Sequence, residues 1–130
     1  MNRRYTLLTG ALLGAFSVAT GAFGAHALKE FLLETGKTDT FELAVRYQFF
    51  HALALLVIGL LMGDIGSSTL EWAATFLVAG TVCFSGSLYL IALSELRGGL
   101  VFITPLGGTF LIAGWILLTI GILRDKSGQH

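Results

Sequence analysis

From Gly98 to Leu123 the chain reads GGLVFITPLGGTFLIAGWILLTIGIL, without a single acidic or basic side chain. A helix needs roughly 20 apolar residues to cross about 30 Å of hydrocarbon. This stretch exceeds that length, and it is apolar on every side rather than along one stripe. A helix of that kind is buried in lipid or in a very large core. With 130 residues the chain is too short to supply such a core.

Three further stretches lack Asp, Glu, Lys and Arg: Tyr5–Leu28, Tyr47–Gly63 and Trp72–Ser94. The second is short, but it extends backward through Val45 and Ala44 toward Phe41. The expected fold is therefore all-α: a four-transmembrane-helix bundle running up-down-up-down. It forms one membrane domain over residues 1–130, with spans at about 5–28, 41–63, 70–94 and 101–123. Composition agrees, since 55% of residues are hydrophobic and only 12% are charged, against about 25% charged in soluble domains. Eight Lys plus Arg balance eight Asp plus Glu, so no net charge draws the chain to nucleic acid. Cys83 is the only cysteine and cannot form an internal disulfide.

The first span also has features of a signal peptide: Arg3 and Arg4 precede it, and Ala25-His26-Ala27 is a small-x-small site. Its apolar stretch is longer than the 7–15 residues of a signal core, and it carries a packing face. A retained helix is the expectation. That face is Gly10, Gly14, Ser17, Gly21 and Gly24, which follow helical spacing. Gly107, Gly114 and Gly121 repeat by sevens in the fourth span. Ala52, Gly59 and Gly63 mark the second span, and Gly80, Cys83 and Ser87 the third. Small residues let backbones approach closely where lipid removes the hydrophobic force between helices. Tight static packing is favoured over transporter hinges.

Helix starts are expected at two capping boxes, Asp39-Thr40-Phe41-Glu42 and Ser68-Thr69-Leu70-Glu71. Thr104-Pro105 fits an N-cap followed by proline; the alternative is a helix from Leu100 kinked at Pro105. Glu42 and Arg46 stand in favourable order for an ion pair, or simply form a solvated helix start. The Glu30–Glu34 segment is read either as an interfacial turn or as a patch over the bundle end. Tyr5 and Trp72 fit an interfacial aromatic belt, whereas Trp115 falls mid-span and reads as packing. Both termini share a side with the second link. Arg3, Arg4, Arg124 and Lys126 then oppose Lys29, Lys37, Arg46 and Arg97, a tie under the positive-inside rule. Because Arg3 and Arg4 flank the first span, both termini are expected in the cytoplasm.

Few polar residues lie within the spans. They are His26 at the end of the first, Tyr47, Gln48 and His51 in the second, Ser85 and Ser87 in the third, and Thr104 in the fourth. In an up-down-up-down bundle all of these fall toward one membrane face, opposite the termini. Ionisable groups in a membrane are functional candidates by default, and His26 and His51 are the two here. The competing reading is a set of interhelix hydrogen bonds. A metal site lacks a third ligand at matching depth. No GxSxG, HExxH or P-loop pattern is present, and no intramembrane carboxylate is available to orient a catalytic histidine. No catalytic residue, cofactor or metal is expected.

The segments GAFGAHALK, YQFFHALALL, FSGSLYLIAL and TPLGG…GW, in this order and spacing, resemble the small inner-membrane proteins of domain-of-unknown-function family 423, the YgdD-like group. The likeness runs from Gly10 to Trp115. It implies a four-span bundle in the bacterial inner membrane and no assigned activity or catalytic residue. The leading functional expectation is a non-enzymatic accessory or assembly partner of a larger membrane complex. The bilayer surrounds it, and the expected association is a homo-oligomer or another membrane protein. A small transporter using intramembrane histidines is the first alternative, although the first span has no acid between Arg4 and Glu30. A membrane enzyme is the second.

Overall fold

The computed structural model describes residues 1–96 and 98–125; Arg97 and Lys126, which entered the charge tally, lie outside them. Among the described residues there are five helices and no strand: α1 (Arg3–Ala25), α2 (Lys29–Glu34), α3 (Thr38–Asp64), α4 (Ser68–Leu93) and α5 (Leu100–Leu123). All except α2 are long and apolar enough to cross a membrane.

The ends of these helices follow from local chemistry. Asn2 caps α1 by accepting from the Tyr5 amide at 3.0 Å. At its other end α1 stops at Ala25, and the Leu28 amide bonds back to the Phe23 carbonyl at 2.8 Å. Helix α2 closes with a Schellman motif: Gly36 bonds to the Leu33 carbonyl at 3.2 Å and Lys37 to the Leu32 carbonyl at 2.9 Å. The motif requires a left-handed residue after the helix, and Gly36 supplies it with φ of 66°. Leu32 of α2 is buried against Phe41 and Ala92, while Phe31 and Leu33 point outward. The segment therefore packs over the bundle end and keeps an apolar outer side.

Two expected starts move. Helix α3 begins at Thr38 without a side-chain cap, so Asp39 sits inside the first turn instead of capping it. There its charge faces the positive end of the helix dipole. Ser67, rather than Ser68, caps α4 by accepting from Thr69 at 3.2 Å. Of the two readings of Thr104-Pro105 the N-cap is overturned and the start at Leu100 holds: α5 begins there and contains Pro105. The missing Pro105 amide leaves the Val101 carbonyl without its helical donor, while the Thr104 hydroxyl bonds back to the Leu100 carbonyl at 3.3 Å. Glu42 and Arg46 close no salt bridge with each other.

The helices pack as two antiparallel pairs, α1 with α3 and α4 with α5, joined along α3 and α4. The glycines decide both pairs. In α5, a Cβ on Gly114 would stand 2.6 Å from Leu77, and one on Gly121 would stand 2.8 Å from Leu70. One on Gly107 would strike the Phe84 backbone. Gly80 returns the arrangement by seating Leu111. Each of these pairs has the same sum of residue numbers, the mark of one unbroken antiparallel register. Between α1 and α3, Gly10 lies under the Ala52 carbonyl, Gly59 under Leu7 and Gly24 under the Phe41 ring. Gly14 is looser, with only Ala52 near it at 3.9 Å.

A valine at Gly107 has no flexible neighbour to displace, because the opposing atoms are backbone. Gly107→Val is expected to lower stability in detergent by about 2 kcal/mol or more. Gly86→Ala, which enters open space, is expected to stay within about 0.5 kcal/mol. Thermal unfolding of the two purified variants reads the difference.

Candidate functional site

The polar side chains of the spans sort into two groups on opposite sides of α3. On the α1 side, Gln48 is buried with 6% exposure. Its Nε2 donates to the Leu13 carbonyl of α1 at 3.1 Å, and its Oε1 accepts from the Tyr89 hydroxyl of α4 at 2.8 Å. Tyr89 has one proton and gives it to Gln48. The Thr20 hydroxyl, on α1, lies 3.1 Å from the Tyr89 oxygen and 2.8 Å from the Phe16 carbonyl of its own helix, so its one proton is shared between the two. One amide and two hydroxyls thus tie three helices together. Ser85, also buried, adds a bond from α4 to the Ala44 carbonyl of α3 at 2.8 Å.

On the α5 side stands His51, 5% exposed and about 20 Å along α3 from its start. His51 thus stands about one and a half turns past Arg46, the last charged residue before the uncharged stretch. Its Nδ1 lies 2.7 Å from the Tyr47 carbonyl, which can only accept, so Nδ1 carries the ring proton. Nε2 then accepts from the indole N–H of Trp115 on α5 at 3.2 Å. Both nitrogens are thereby satisfied in the neutral ring. Tyr47 stacks on His51 with centroids 6.0 Å apart and packs against Phe84 at 4.5 Å. Nearer the membrane face, Ser87 of α4 and Thr104 of α5 share a hydrogen bond of 2.6 Å. Ser87 also lies 2.9 Å from the Phe84 carbonyl, and Thr104 lies 3.3 Å from the Leu100 carbonyl, so either hydroxyl can be the donor between them.

His26 joins neither group. It forms the C-cap of α1, is exposed, and has no side-chain hydrogen bond among the described residues. The two histidines share no contact. Among the described residues no three His, Cys, Asp or Glu side chains gather as a metal site would need.

Three partners were not read from the sequence. Tyr89 and Thr20 complete the Gln48 chain, and Trp115, expected only to pack, donates to His51. The signal for Thr20 was present, since it stands between Ser17 and Gly21 beside the small-residue stripe. Nothing in the spacing tied Trp115 to His51. Their helices are separated in sequence by all of α4.

The same arrangement of spans and polar residues has relatives. The family described as "Protein of unknown function (DUF423)" matches residues 20–108, a segment that includes the Thr20–Tyr89–Gln48 chain. The chain belongs to this DUF423 family. It is 43% identical to the UPF0382 inner membrane protein YgdD of Escherichia coli (strain K12) over 128 residues, covering 97% of this chain and 95% of the relative. It is 45% identical to a UPF0382 membrane protein of Staphylococcus haemolyticus over 118 residues, covering 91% and 94% of the two chains. No solved structure matches. The DUF423 chain is an integral membrane protein of an uncharacterised family: its relatives are named for the membrane, and four of its helices have the length and apolarity to span one.

In this DUF423 protein, Gln48→Met removes the bond to Tyr89 and the bond to Leu13 while keeping the side-chain volume. A loss of about 1 kcal/mol is expected, and a double-mutant cycle with Tyr89→Phe should give a coupling of about 0.6–1.7 kcal/mol. Unfolding in mixed detergent micelles measures both. Additive losses would mean that the Gln48–Tyr89 bond contributes nothing.

Proposed function

We propose that this chain acts as a non-enzymatic accessory or assembly partner of a larger membrane complex. The observation that carries the reading is the outer face of α1, the least buried of the four long helices. Gly10 and Gly24 of the α1 glycine stripe are already covered inside the bundle by α3. About a third of a turn away, Ala11, Ala15, Ala19 and Ala22 form a second stripe of small residues, and all four are exposed. Leu8, Leu12 and Phe16 border it. Small residues at four- and three-residue spacing allow another helix to approach closely. The polar residues of the bundle are hydrogen-bonded to one another, as befits a scaffold that holds its shape while it docks.

Transport by intramembrane histidines has less support. His51 is bonded at both nitrogens, and His26 lies apart at a helix end. For an enzyme, His51 has Trp115 and the Tyr47 carbonyl as partners and no carboxylate to orient it. The proposal keeps both termini on the cytoplasmic side because Arg3 and Arg4 flank α1.

The test is purification at native expression level in mild detergent after crosslinking in the membrane. Wild type is expected to co-purify with another membrane protein, and Ala15→Leu with Ala19→Leu should abolish that association without changing the unfolding temperature. Recovery of wild type solely as a lone species after crosslinking would sink the proposal.

A further inference from the structure

A cleft of about 440 Å³ opens between α1 and α3 beneath the α2 turn, within the size range of small-molecule sites. Its walls are apolar, made by Val18, Gly21, Phe41, Val45 and Phe49. Gly21 has only Val45 near its missing Cβ, at 3.4 Å, so the glycine keeps the wall flat. The mouth is different in kind. Glu42 and Arg46 line it one helical turn apart, both exposed, and neither is bonded to the other or to any described residue. Thr38 also lines the cleft, and its Oγ1 is buried without a hydrogen-bond partner. A buried hydroxyl left unpaired calls for a partner that the protein itself does not supply.

Depth fixes what such a cleft can hold. Glu42 and Arg46 lie in the first turns of α3, before the uncharged stretch from Tyr47 to Gly63 begins, and this puts them at headgroup level. Phe49 is seven residues farther along the helix, about 10 Å deeper, within the hydrocarbon. The cleft thus runs from a mouth with one positive and one negative charge into an apolar slot open to lipid.

We infer that this cleft binds one phospholipid with a zwitterionic, amine-bearing headgroup. Arg46 pairs with the phosphate, Glu42 with the primary ammonium, and one acyl chain lies along Val45 and Phe49. An anionic glycerol headgroup would satisfy Arg46 but set its phosphate charge beside Glu42 with no cation in return, so it is disfavoured. The inference stands apart from the proposed assembly role, because the charged mouth of the cleft belongs to α3 and the alanine face to α1.

Native mass spectrometry of the full chain, incubated with palmitoyl-oleoyl-phosphatidylethanolamine or with palmitoyl-oleoyl-phosphatidylglycerol, tests it. The ethanolamine lipid is expected to be retained about two- to fivefold better, the range of one partly exposed charge pair. Glu42→Gln should bring the two lipids level, and Arg46→Gln should weaken both. Neither residue has a protein partner, so the unfolding temperature should hold. Val18→Trp, at a largely exposed position of the wall, should fill the slot and reduce both adducts in a folded protein. Equal retention of the two lipids by wild type, or a preference that survives Glu42→Gln, overturns the inference.

Discussion

Leu77 over Gly114 is the contact on which much of this bundle depends. Inside a membrane the lipid tails are as apolar as leucine, so apolar side chains gain little by leaving lipid for one another. What remains is dispersion at short range, and dispersion falls off steeply with distance. A leucine seated on a glycine brings two backbones close enough for it to count. Leu70 over Gly121 and Leu111 over Gly80 repeat the contact along α4 and α5, and Leu7 over Gly59 does the same between α1 and α3. Because knob and gap alternate between the two helices of a pair, a slip by one residue would set side chains against backbone.

That close approach also makes the polar bonds geometrically available. The Gln48 amide reaches the Leu13 carbonyl, and the Ser85 hydroxyl reaches the Ala44 carbonyl, because the helices are near enough for short side chains to span the gap. Carbonyls inside helices already accept one bond, and each has a second lone pair to offer. The bundle uses this capacity where α3 meets its neighbours. Gly packing joins the helices within each pair, while the pairs meet through one buried apolar cluster, Leu55 and Ile58 of α3 with Ala73 and Leu77 of α4, and through hydrogen bonds from Tyr89 and Ser85. The exposed helix end has its own fastening, since Lys37 Nζ binds the Ser94 carbonyl at 2.8 Å, opposite in charge to the C-terminal end of α4.

The four spans were legible in the sequence because absence of charge over Gly98–Leu123 is an integral property that needs no knowledge of neighbours. The glycine stripes were legible too, but their meaning was not. Spacing shows which glycines share a face, and only the fold shows that Gly10 and Gly114 are filled from within the bundle. The surface left over lies on alanines instead. Helix starts were misplaced by a residue or by several for a common reason. Asp39 and Thr104 are good caps in isolation, but the Schellman turn at Gly36 and the turn at Gly98–Gly99 begin their helices sooner. Within the candidate site, Gln48, Ser85 and Ser87 were recognisable as polar residues in lipid. Their partners were not, because the acceptors are mostly backbone carbonyls, which leave no mark in a sequence.

The pairing of α1 with α3 and of α4 with α5 has a consequence for how the chain is made. Each pair consists of successive membrane spans, so its contacts are local in sequence, and local contacts form fastest. Synthesis proceeds from the N-terminus, and every residue of the α1–α3 glycine contacts and of the Arg3–Gly59 bond precedes α5 in the chain. The second hairpin arrives with its own register already set by Leu70, Leu77 and Phe84. Biogenesis is thereby reduced to joining two finished halves, and the Gln48–Tyr89 bond is a joint that only correct docking of those halves can close.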